Sequence, residues 1–339
     1  MARPGKPLEG GINTDELQSA ATSPQGEVVS PTRGVPTWAW QVQGPPGGPA
    51  VLLLHGWMAT AALNWYGSLE FLGRYFHAVA PDLRGHGRQG RGAPPFSVEG
   101  CADDLAALIA ELSLGPVVVV GYSMGGAIAQ VLARRHRDLV RGMVLCATAA
   151  SFARRVKLRP AVYVAGKLGG GAARKWPGTA QRFLTWRIAR HDRKVERQTH
   201  QRGEERSHFE GQVLATAGDQ LVAERARQNR GSHMAWALPE REMSDLAAFI
   251  EAGAALNAYD SSRWLPQLDV PTAVLITTGD IVVAPWRQEK MARLIPGSRS
   301  YLVDGGHDAV VARPGVFLPI LRDACLALAR ASSVTRRPV

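Results

Sequence analysis

The chain has 339 residues, of which 45% are hydrophobic and 20% carry a charged side chain. This is the composition of an ordinary folded globular protein with one large or two modest domains. Its three cysteines, Cys101, Cys146 and Cys325, lie far apart in apolar segments, which argues against a disulfide framework and favours a reducing compartment. The N-terminus has no apolar signal region, and no apolar run reaches the ~18 residues that span a bilayer. We therefore expect a soluble, cytoplasmic protein, and no C-x-x-C or H-E-x-x-H motif predicts a metal site.

The formal net charge of +11 is concentrated in one segment. Residues 151–206 contain 15 Lys and Arg against 4 Asp and Glu, so the rest of the chain is neutral. A local basic field can attract anionic lipid, an anionic substrate or nucleic acid. Because the segment contains no recognisable nucleic-acid module, we expect no nucleic-acid partner. A solvated, Arg-rich helical surface is one interpretation, and weak association with an anionic membrane is another.

The first 150 residues alternate between strands and helices. Residues 1–25 are rich in Gly, Pro and small polar side chains and predict a loose tail. Helical periodicity from Ser97 to Leu114, with Ser97 at the N-cap and Gly115 just past the end, predicts a helix. Short apolar runs predict strands at 26–30, 38–44, 51–54, 77–80, 117–120 and 141–148. This alternation is typical of a parallel α/β sheet.

The alternation stops at about residue 150 and resumes near residue 245. The intervening residues, 151–244, are basic and helix-rich and contain several aromatic side chains, so they predict a helical insertion. Two further strands and three helices follow, at 245–256, 272–280, 285–295, 298–307 and up to about 330. The sequence therefore predicts one eight-stranded sheet domain, formed by residues 26–150 and 245–332, with an insertion after its sixth strand.

The segment Val117 to Gln130, VVVVGYSMGGAIAQ, is the centre of the predicted site. Four β-branched residues predict a buried parallel strand, and the residues after the glycines are good helix formers. Between them lies Gly-x-Ser-x-Gly, whose Ser is Ser123. This pattern is typical of a tight strand-to-helix turn that exposes the serine hydroxyl and points the N-terminus of the helix at it.

A serine hydroxyl needs a base, and the base needs an orienting acid. In a parallel sheet such groups collect beyond the carboxyl ends of the strands. Asp280 and His307 each follow a later predicted strand, so the chain order is Ser, Asp, His. Asp304 and Asp308 lie too close to His307 in sequence to present a carboxylate easily to its Nδ1 atom.

These residues and their order resemble the α/β-hydrolase fold family, in particular capped bacterial serine hydrolases of the esterase and lipase type. The motifs that carry the resemblance are HGW at 55–57, PDLRGHG at 81–87, GYSMGG at 121–126, GDIVVAP at 279–285 and GGH at 305–307. The resemblance implies that residues 151–244 form a helical cap and that no cofactor is needed.

The resemblance also implies a role for each residue of the site. Ser123 is the nucleophile, His307 the general base and acid, and Asp280 the group that fixes the imidazole tautomer. The oxyanion hole is formed by the backbone N–H groups of Trp57 and Met124. The residues expected to contact substrate, with a core role as the alternative, are Trp57, Met58, Tyr122 and Met124. In this interpretation His55 and the loop residues Asp82, Arg84 and His86 have structural roles.

The implied function is hydrolysis of a carboxylic ester of a lipophilic small molecule through an acyl-enzyme. A carbon–carbon hydrolase, an acyltransferase or a lyase of the same fold is the first alternative, because one fold supports many activities. A noncatalytic ligand-binding protein on the same scaffold is the second. Ser123 argues against haloalkane dehalogenases and epoxide hydrolases, which carry Asp at this position.

Overall fold

The computed structural model describes residues 40–89, 94–153, 159–176 and 244–331, with the isolated positions 178 and 182. The predicted tail, the first predicted strand at 26–30 and most of the predicted cap lie outside these residues. The division into tail, core and cap therefore stays a prediction.

Seven strands in the described residues form one sheet in the order β1-β3-β2-β4-β5-β6-β7. Strand β1 is antiparallel to β3, and all other neighbours are parallel. This confirms the predicted mostly parallel sheet, while the prediction of an eighth strand, at 26–30, lies outside the described residues. The strands are β1 Trp40–Gln43, β2 Ala50–Leu54, β3 His77–Pro81, β4 Val117–Tyr122, β5 Val140–Cys146, β6 Thr272–Thr277 and β7 Arg299–Val303.

The helices have starts and ends that their sequences explain. Helix α2 begins after Ser97, whose hydroxyl accepts a hydrogen bond from the N–H of Gly100 at 3.0 Å. Gly115 follows α2 with φ +65°, a conformation that favours glycine. The described helices are α1 Ala61–Gly73, α2 Val98–Glu111, α3 Met124–Arg135, α4 Arg159–Lys175, α5 Leu246–Ala258, α6 Pro285–Leu294, α7 Ala309–Ala312 and α8 Pro314–Ala331. None of them combines the length and the apolar character needed to cross a membrane.

The sheet separates two layers of core. In β4, Val117 and Val119 pack with helices α2, α3 and α6, whereas Val118 and Val120 pack with α1 and α8. All four side chains are completely buried. Because alternate residues of a strand point to opposite faces, burial on both faces explains the uninterrupted run of valines.

Two helices lie over the carboxyl end of the sheet. Helix α5 contacts the loop after β3, since the N–H of Asp245 donates to Gly85 O at 3.0 Å. Helix α4 packs along α5, and a Cβ atom added to Gly166 would lie only 2.2 Å from Cβ of Ala254. Helix α5 thus covers the loop after β3, and α4 packs against α5.

Candidate active site

Ser123 lies at the turn between β4 and α3. Its φ and ψ angles are 52° and −111°, a strained conformation for a residue with a side chain. The surrounding backbone holds this turn: the Ser123 N–H donates to Cys146 O at 2.9 Å, and the Thr148 hydroxyl donates to Ser123 O at 2.7 Å. The strained turn is the one that the Gly-x-Ser-x-Gly pattern predicts.

The glycines beside Ser123 are required by close packing. A Cβ atom at Gly125 would lie 2.3 Å from the carbonyl oxygen of Leu54 in β2. At Gly126 it would lie 2.4 Å from the side chain of Thr148. Both distances are too short for non-bonded atoms, so only glycine lets α3 start this close to the sheet.

The three residues predicted from the strand ends come together. Nε2 of His307 lies 3.0 Å from Oγ of Ser123, and Nδ1 of His307 lies 2.8 Å from Oδ2 of Asp280. Since an ionised carboxylate only accepts, Nδ1 of a neutral His307 carries the proton and Nε2 presents its lone pair to the Ser123 hydroxyl. The geometry gives a continuous hydrogen-bonded chain from carboxylate to hydroxyl.

The carboxylate of Asp280 is almost fully buried and has several donors. Its Oδ1 accepts from the N–H groups of Val282 and Val283, both at 2.8 Å, and its Oδ2 accepts from the Thr277 hydroxyl at 2.9 Å. Burial alone would raise the pKa of Asp280, but His307 and these donors outweigh it and hold the pKa below its usual value. The acid therefore stays ionised beside His307 at neutral pH.

Gln288 of α6 completes this environment and was missed by the sequence analysis. Its side chain is fully buried, its Oε1 accepts from the Thr277 N–H at 3.1 Å, and its Nε2 donates to the Thr277 hydroxyl and to Val283 O. Nε2 also lies 3.3 Å from Oδ2 of Asp280. A polar residue in a charged helix usually lies at the surface, so the sequence gives no sign that Gln288 is buried beside Asp280.

The loop from His55 to Met58 lies beside Ser123. A Cβ atom added to Gly56 would be 3.6 Å from Cβ of Ser123, and the Gly56 N–H donates to Asn64 Oδ1 at 2.9 Å. Within the described part of the chain, the next N–H along, that of Trp57, has no protein acceptor, and neither has the N–H of Met124 at the start of α3. The backbone N–H groups of Trp57 and Met124 are thus two donors without a protein acceptor in the described residues, one in the loop beside Ser123 and one at the turn that carries Ser123.

The four residues expected to contact substrate divide into two pairs. Trp57 and Met58 are 44% and 40% exposed. Tyr122 and Met124 are buried, and the Tyr122 hydroxyl donates to His307 O at 2.7 Å. The side chains of Tyr122 and Met124 therefore occupy core positions, the alternative left open by the sequence, and Tyr122 supports the His307 loop.

His55 holds the neighbouring loops together. Its Nε2 accepts from the Leu83 N–H at 2.9 Å, so the proton is on Nδ1, which donates to Gly56 O at 2.8 Å. Complete burial, with nearby His86, lowers the pKa of His55 to about 3, so this histidine is neutral at ordinary pH. These contacts fit the structural role expected for His55.

The loop after β3 is also fixed by polar contacts. Asp82 accepts from the N–H groups of Ala61 and Arg88 at 2.8 and 3.0 Å. Arg84 forms a two-pronged pair with Asp104, at 2.7 Å for each bond. These contacts hold the PDLRGHG loop in place below helix α5, in the structural role that the family resemblance implies for Asp82 and Arg84.

Comparison with known proteins identifies the family. A family model described as the alpha/beta hydrolase fold matches residues 49–314, which is most of the chain. This chain belongs to the α/β-hydrolase fold family. The resemblance inferred from the five sequence motifs is thereby confirmed.

Three individual proteins show what this α/β hydrolase is similar to, each at moderate sequence identity. An uncharacterized protein of Mycobacterium tuberculosis is 35% identical over 98 residues, which cover 29% of this chain and only 28% of the relative. A pimeloyl-[acyl-carrier protein] methyl ester esterase of Chromobacterium violaceum is 32% identical over 233 residues, covering 67% of this chain and 84% of the relative. The solved structure of a thermophilic esterase from Thermogutta terrifontis is 25% identical, with a TM-score of 0.62 over 86% of this chain and 94% of that one.

In the part of the chain that the structure describes, no group of three or more His, Cys, Asp or Glu side chains is arranged to hold a metal ion. The described residues of the site supply a hydroxyl, an imidazole, a carboxylate and two backbone N–H groups without a protein acceptor.

Proposed function

We propose that this α/β hydrolase cleaves a carboxylic ester, or a related acyl bond, of a lipophilic small molecule through an acyl-enzyme. The observation that carries the proposal is the hydrogen-bonded chain Ser123–His307–Asp280, with 3.0 and 2.8 Å between its members. The family membership and the named esterases among the relatives support the same reaction class.

In the first half of the reaction, Oγ of Ser123 attacks the carbonyl carbon, and Nε2 of His307 takes the hydroxyl proton. The buried carboxylate of Asp280 stabilises the resulting imidazolium and keeps Nδ1 protonated. The tetrahedral intermediate then collapses, the bond from carbon to the leaving oxygen breaks, and His307 returns its proton to that oxygen. The products are an alcohol and the Ser123 acyl ester.

In the second half, a water molecule takes the place of the alcohol. His307 accepts a proton from this water as it attacks the acyl ester, and the second tetrahedral intermediate collapses with the Ser123 oxygen as leaving group. His307 then protonates Ser123, which releases the carboxylic acid and restores the starting state.

The developing negative charge needs donors that are already in place. The N–H groups of Trp57 and Met124 are the candidates, because each has no acceptor within the described residues. Met124 also begins helix α3, so the positive end of the helix dipole adds to its donor. We assign the oxyanion hole to these two groups.

Apolar side chains around the site favour a lipophilic substrate. Trp57 and Met58 belong to the loop of residues 55–58, here called the oxyanion loop, and Ile281 and Val282 follow Asp280 in sequence with 87% and 65% of their surfaces exposed. Exposed apolar residues beside a reacting centre are typical of a substrate-contact surface. We propose Trp57 and Met58 as contacts for the acyl or alcohol group, with Tyr122 and Met124 supporting the site from the core.

A second, weaker proposal concerns the basic segment 151–206. Its excess of Lys and Arg favours weak, salt-sensitive association with an anionic membrane surface, from which a lipophilic substrate would be taken. No nucleic-acid partner and no cofactor enter the proposal.

The experiment that tests the function is a hydrolysis series on p-nitrophenyl esters from acetate to dodecanoate. We expect turnover that rises with chain length and falls by at least ~10⁴-fold in Ser123→Ala. Ser262→Ala, which changes a serine on the loop before β6, is the matched control and should keep full activity. Turnover that survives Ser123→Ala would contradict the mechanism, and no turnover of any ester would favour the carbon–carbon or ligand-binding alternatives.

A further inference from the structure

The indole of Trp57 is attached to helix α5. Its Nε1–H donates to the carbonyl oxygen of Phe249 at 3.0 Å, a contact between residues 192 positions apart in the chain. The same residue supplies, through its backbone N–H, one of the two proposed oxyanion donors. A single residue therefore joins the oxyanion loop to the helix above it.

The ring of Trp57 lies directly against Gly253 of α5. A Cβ atom added to Gly253 would lie 2.9 Å from Cζ2 and 3.3 Å from Cη2 of the indole. A distance of 2.9 Å is below any normal contact of a real Cβ atom, so Gly253 makes room for the ring. Since glycine costs about 0.5–1 kcal/mol within a helix relative to alanine, its presence at mid-helix calls for a packing reason, and the ring supplies one.

Helix α5 is itself fixed on two sides. Below it, the Ser244 hydroxyl accepts from the Gly87 N–H at 2.8 Å, and the ring of Phe249 lies 4.8 Å from that of His86. Above it, the buried carboxylate of Glu251 pairs with Arg174 of α4 at 3.0 Å. The bond to Phe249 therefore connects Trp57 to a helix that is itself held in place by contacts on two sides.

The oxyanion loop has a strained backbone next to Trp57. The peptide before Trp57 is held by His55 and Asn64, but the residue after it, Met58, has φ +59°, a conformation that is unfavourable for a residue with a side chain. The Trp57 N–H shares a planar peptide with Gly56 O, which accepts from His55 Nδ1 at 2.8 Å and from the Ala59 N–H at 3.3 Å, so these bonds set its direction within the loop. The bond from the indole to Phe249 adds a contact from outside the loop and ties the position of Trp57 to helix α5.

We infer that the Trp57 indole is a positioning group: its bond to Phe249 and its contact with Gly253 orient the Trp57 N–H toward the developing oxyanion. The inference rests on the proposed function and adds to it that helix α5, through Gly253, is part of the positioning apparatus. It predicts a larger effect on the transition state than on substrate binding.

Two single variants and their combination test the inference with the best substrate of the ester series. Trp57→Phe removes the N–H donor, and Gly253→Ala displaces the indole while leaving it intact. Each should lower kcat by about 10- to 100-fold with KM changed by less than about threefold, because a displaced oxyanion donor acts on the transition state. A phenyl ring does not reach the Gly253 position, so the double variant should be no slower than Trp57→Phe alone.

Gly171→Ala is the matched control, since a Cβ atom at this α4 position meets nothing within 4 Å, and it should have wild-type kcat. A kcat within twofold of wild type in Trp57→Phe, a change confined to KM, or multiplying effects in the double variant would overturn the inference while leaving the esterase proposal intact. If Gly253→Ala melts well below wild type, the Trp57→Phe result decides alone, because that side chain is half exposed. An inactive wild type would instead contradict the proposed function and this inference together.

Discussion

Asp280 shows how single residues set the chemistry of the site. Its side chain is buried, yet it accepts hydrogen bonds from two backbone N–H groups, the Thr277 hydroxyl and His307. These donors keep it ionised and fixed, which in turn fixes the tautomer of His307. The exposed carboxylate of Asp304, only three residues from His307, is occupied by Arg313 at 2.7 Å.

The first prediction concerns replacement of Asp280, the proposed acid. Asp280→Asn keeps the shape of the side chain but lets it donate to Nδ1, which places the His307 proton on Nε2, the wrong atom for accepting the Ser123 proton. We expect kcat to fall by about 10³- to 10⁴-fold. Asp304→Asn is the matched control and should change kcat by less than about twofold. Equal losses in the two variants, measured on the same ester, would refute the assignment of Asp280.

The sequence predicts the residues that we propose to react, but not all of those that contact them. Ser123, Asp280 and His307 each follow a recognisable strand, and strand ends meet at one edge of a parallel sheet. Gln288 gives no such signal, because its burial depends on how α6 packs against β6. Tyr122 and Met124 are buried because the strained turn projects Ser123 outward while its neighbours face the two core layers.

At the scale of elements, helices α4 and α5 are joined by small residues and by one buried ion pair. The Glu251 side chain is 3% exposed, accepts from Arg174, and also accepts from the Phe96 N–H at 2.7 Å. Burial alone would raise the pKa of Glu251, but Arg174 and the Phe96 N–H outweigh it and hold the pKa below its usual value. The ionised carboxylate thus links α4, α5 and the loop before α2.

The second prediction concerns the stability of this link. Glu251→Gln should lower the free energy of unfolding at pH 7 by about 1–3 kcal/mol, because the charge-assisted bonds are lost. Glu289→Gln, which breaks an exposed pair with Arg293 at 3.5 Å, is the control and should cost less than about 1 kcal/mol. Urea unfolding of both variants measures the difference.

The same pair predicts a dependence on pH. Because the pKa of Glu251 is lower in the folded than in the unfolded protein, its contribution is present above the usual Glu pKa of about 4.3 and is lost as the pH falls through the folded value. The stability difference between wild type and Glu251→Gln should therefore shrink as the pH falls below about 4. A difference that is constant down to pH 3 would contradict the ionised link.

Element boundaries were predictable where local chemistry sets them. Ser97 and Gly115 bracket α2 through a side-chain cap and a left-handed backbone, both of which depend only on neighbouring residues. The close approach of α4 to α5 was not predictable, because Gly166 and Ala254 come together only in the folded chain. The insertion at 151–244 is predicted from the break in the strand–helix alternation rather than from any motif of its own, and it stays a prediction.

At the scale of the whole molecule, the mostly parallel sheet follows from the alternation of strands and helices, and the family follows from the order of five short motifs, all of which lie at strand ends. The predicted cap is different. Most of residues 151–244 lie outside the described part of the chain, and basic composition alone does not define a surface. The membrane proposal therefore rests on the positive charge of residues 151–206, and the salt dependence that such a charge implies can be measured directly.

The fourth prediction is that the protein sediments with vesicles containing phosphatidylglycerol at low salt. Binding should weaken markedly between 50 mM and 500 mM NaCl, because screening shortens the range of the basic field. Vesicles of phosphatidylcholine alone are the control and should bind little at either concentration. Equal binding to the two lipids, or binding that salt does not change, would remove the proposal.

The central claim is that Ser123 is an activated nucleophile, and covalent labelling with a fluorophosphonate probe tests it most directly. The account predicts one label per chain, mapped by mass spectrometry to Ser123, absent in Ser123→Ala and at least ~10³-fold slower in His307→Ala, because the base is then missing. A label on another residue, or equal labelling rates in wild type and His307→Ala, would contradict the account.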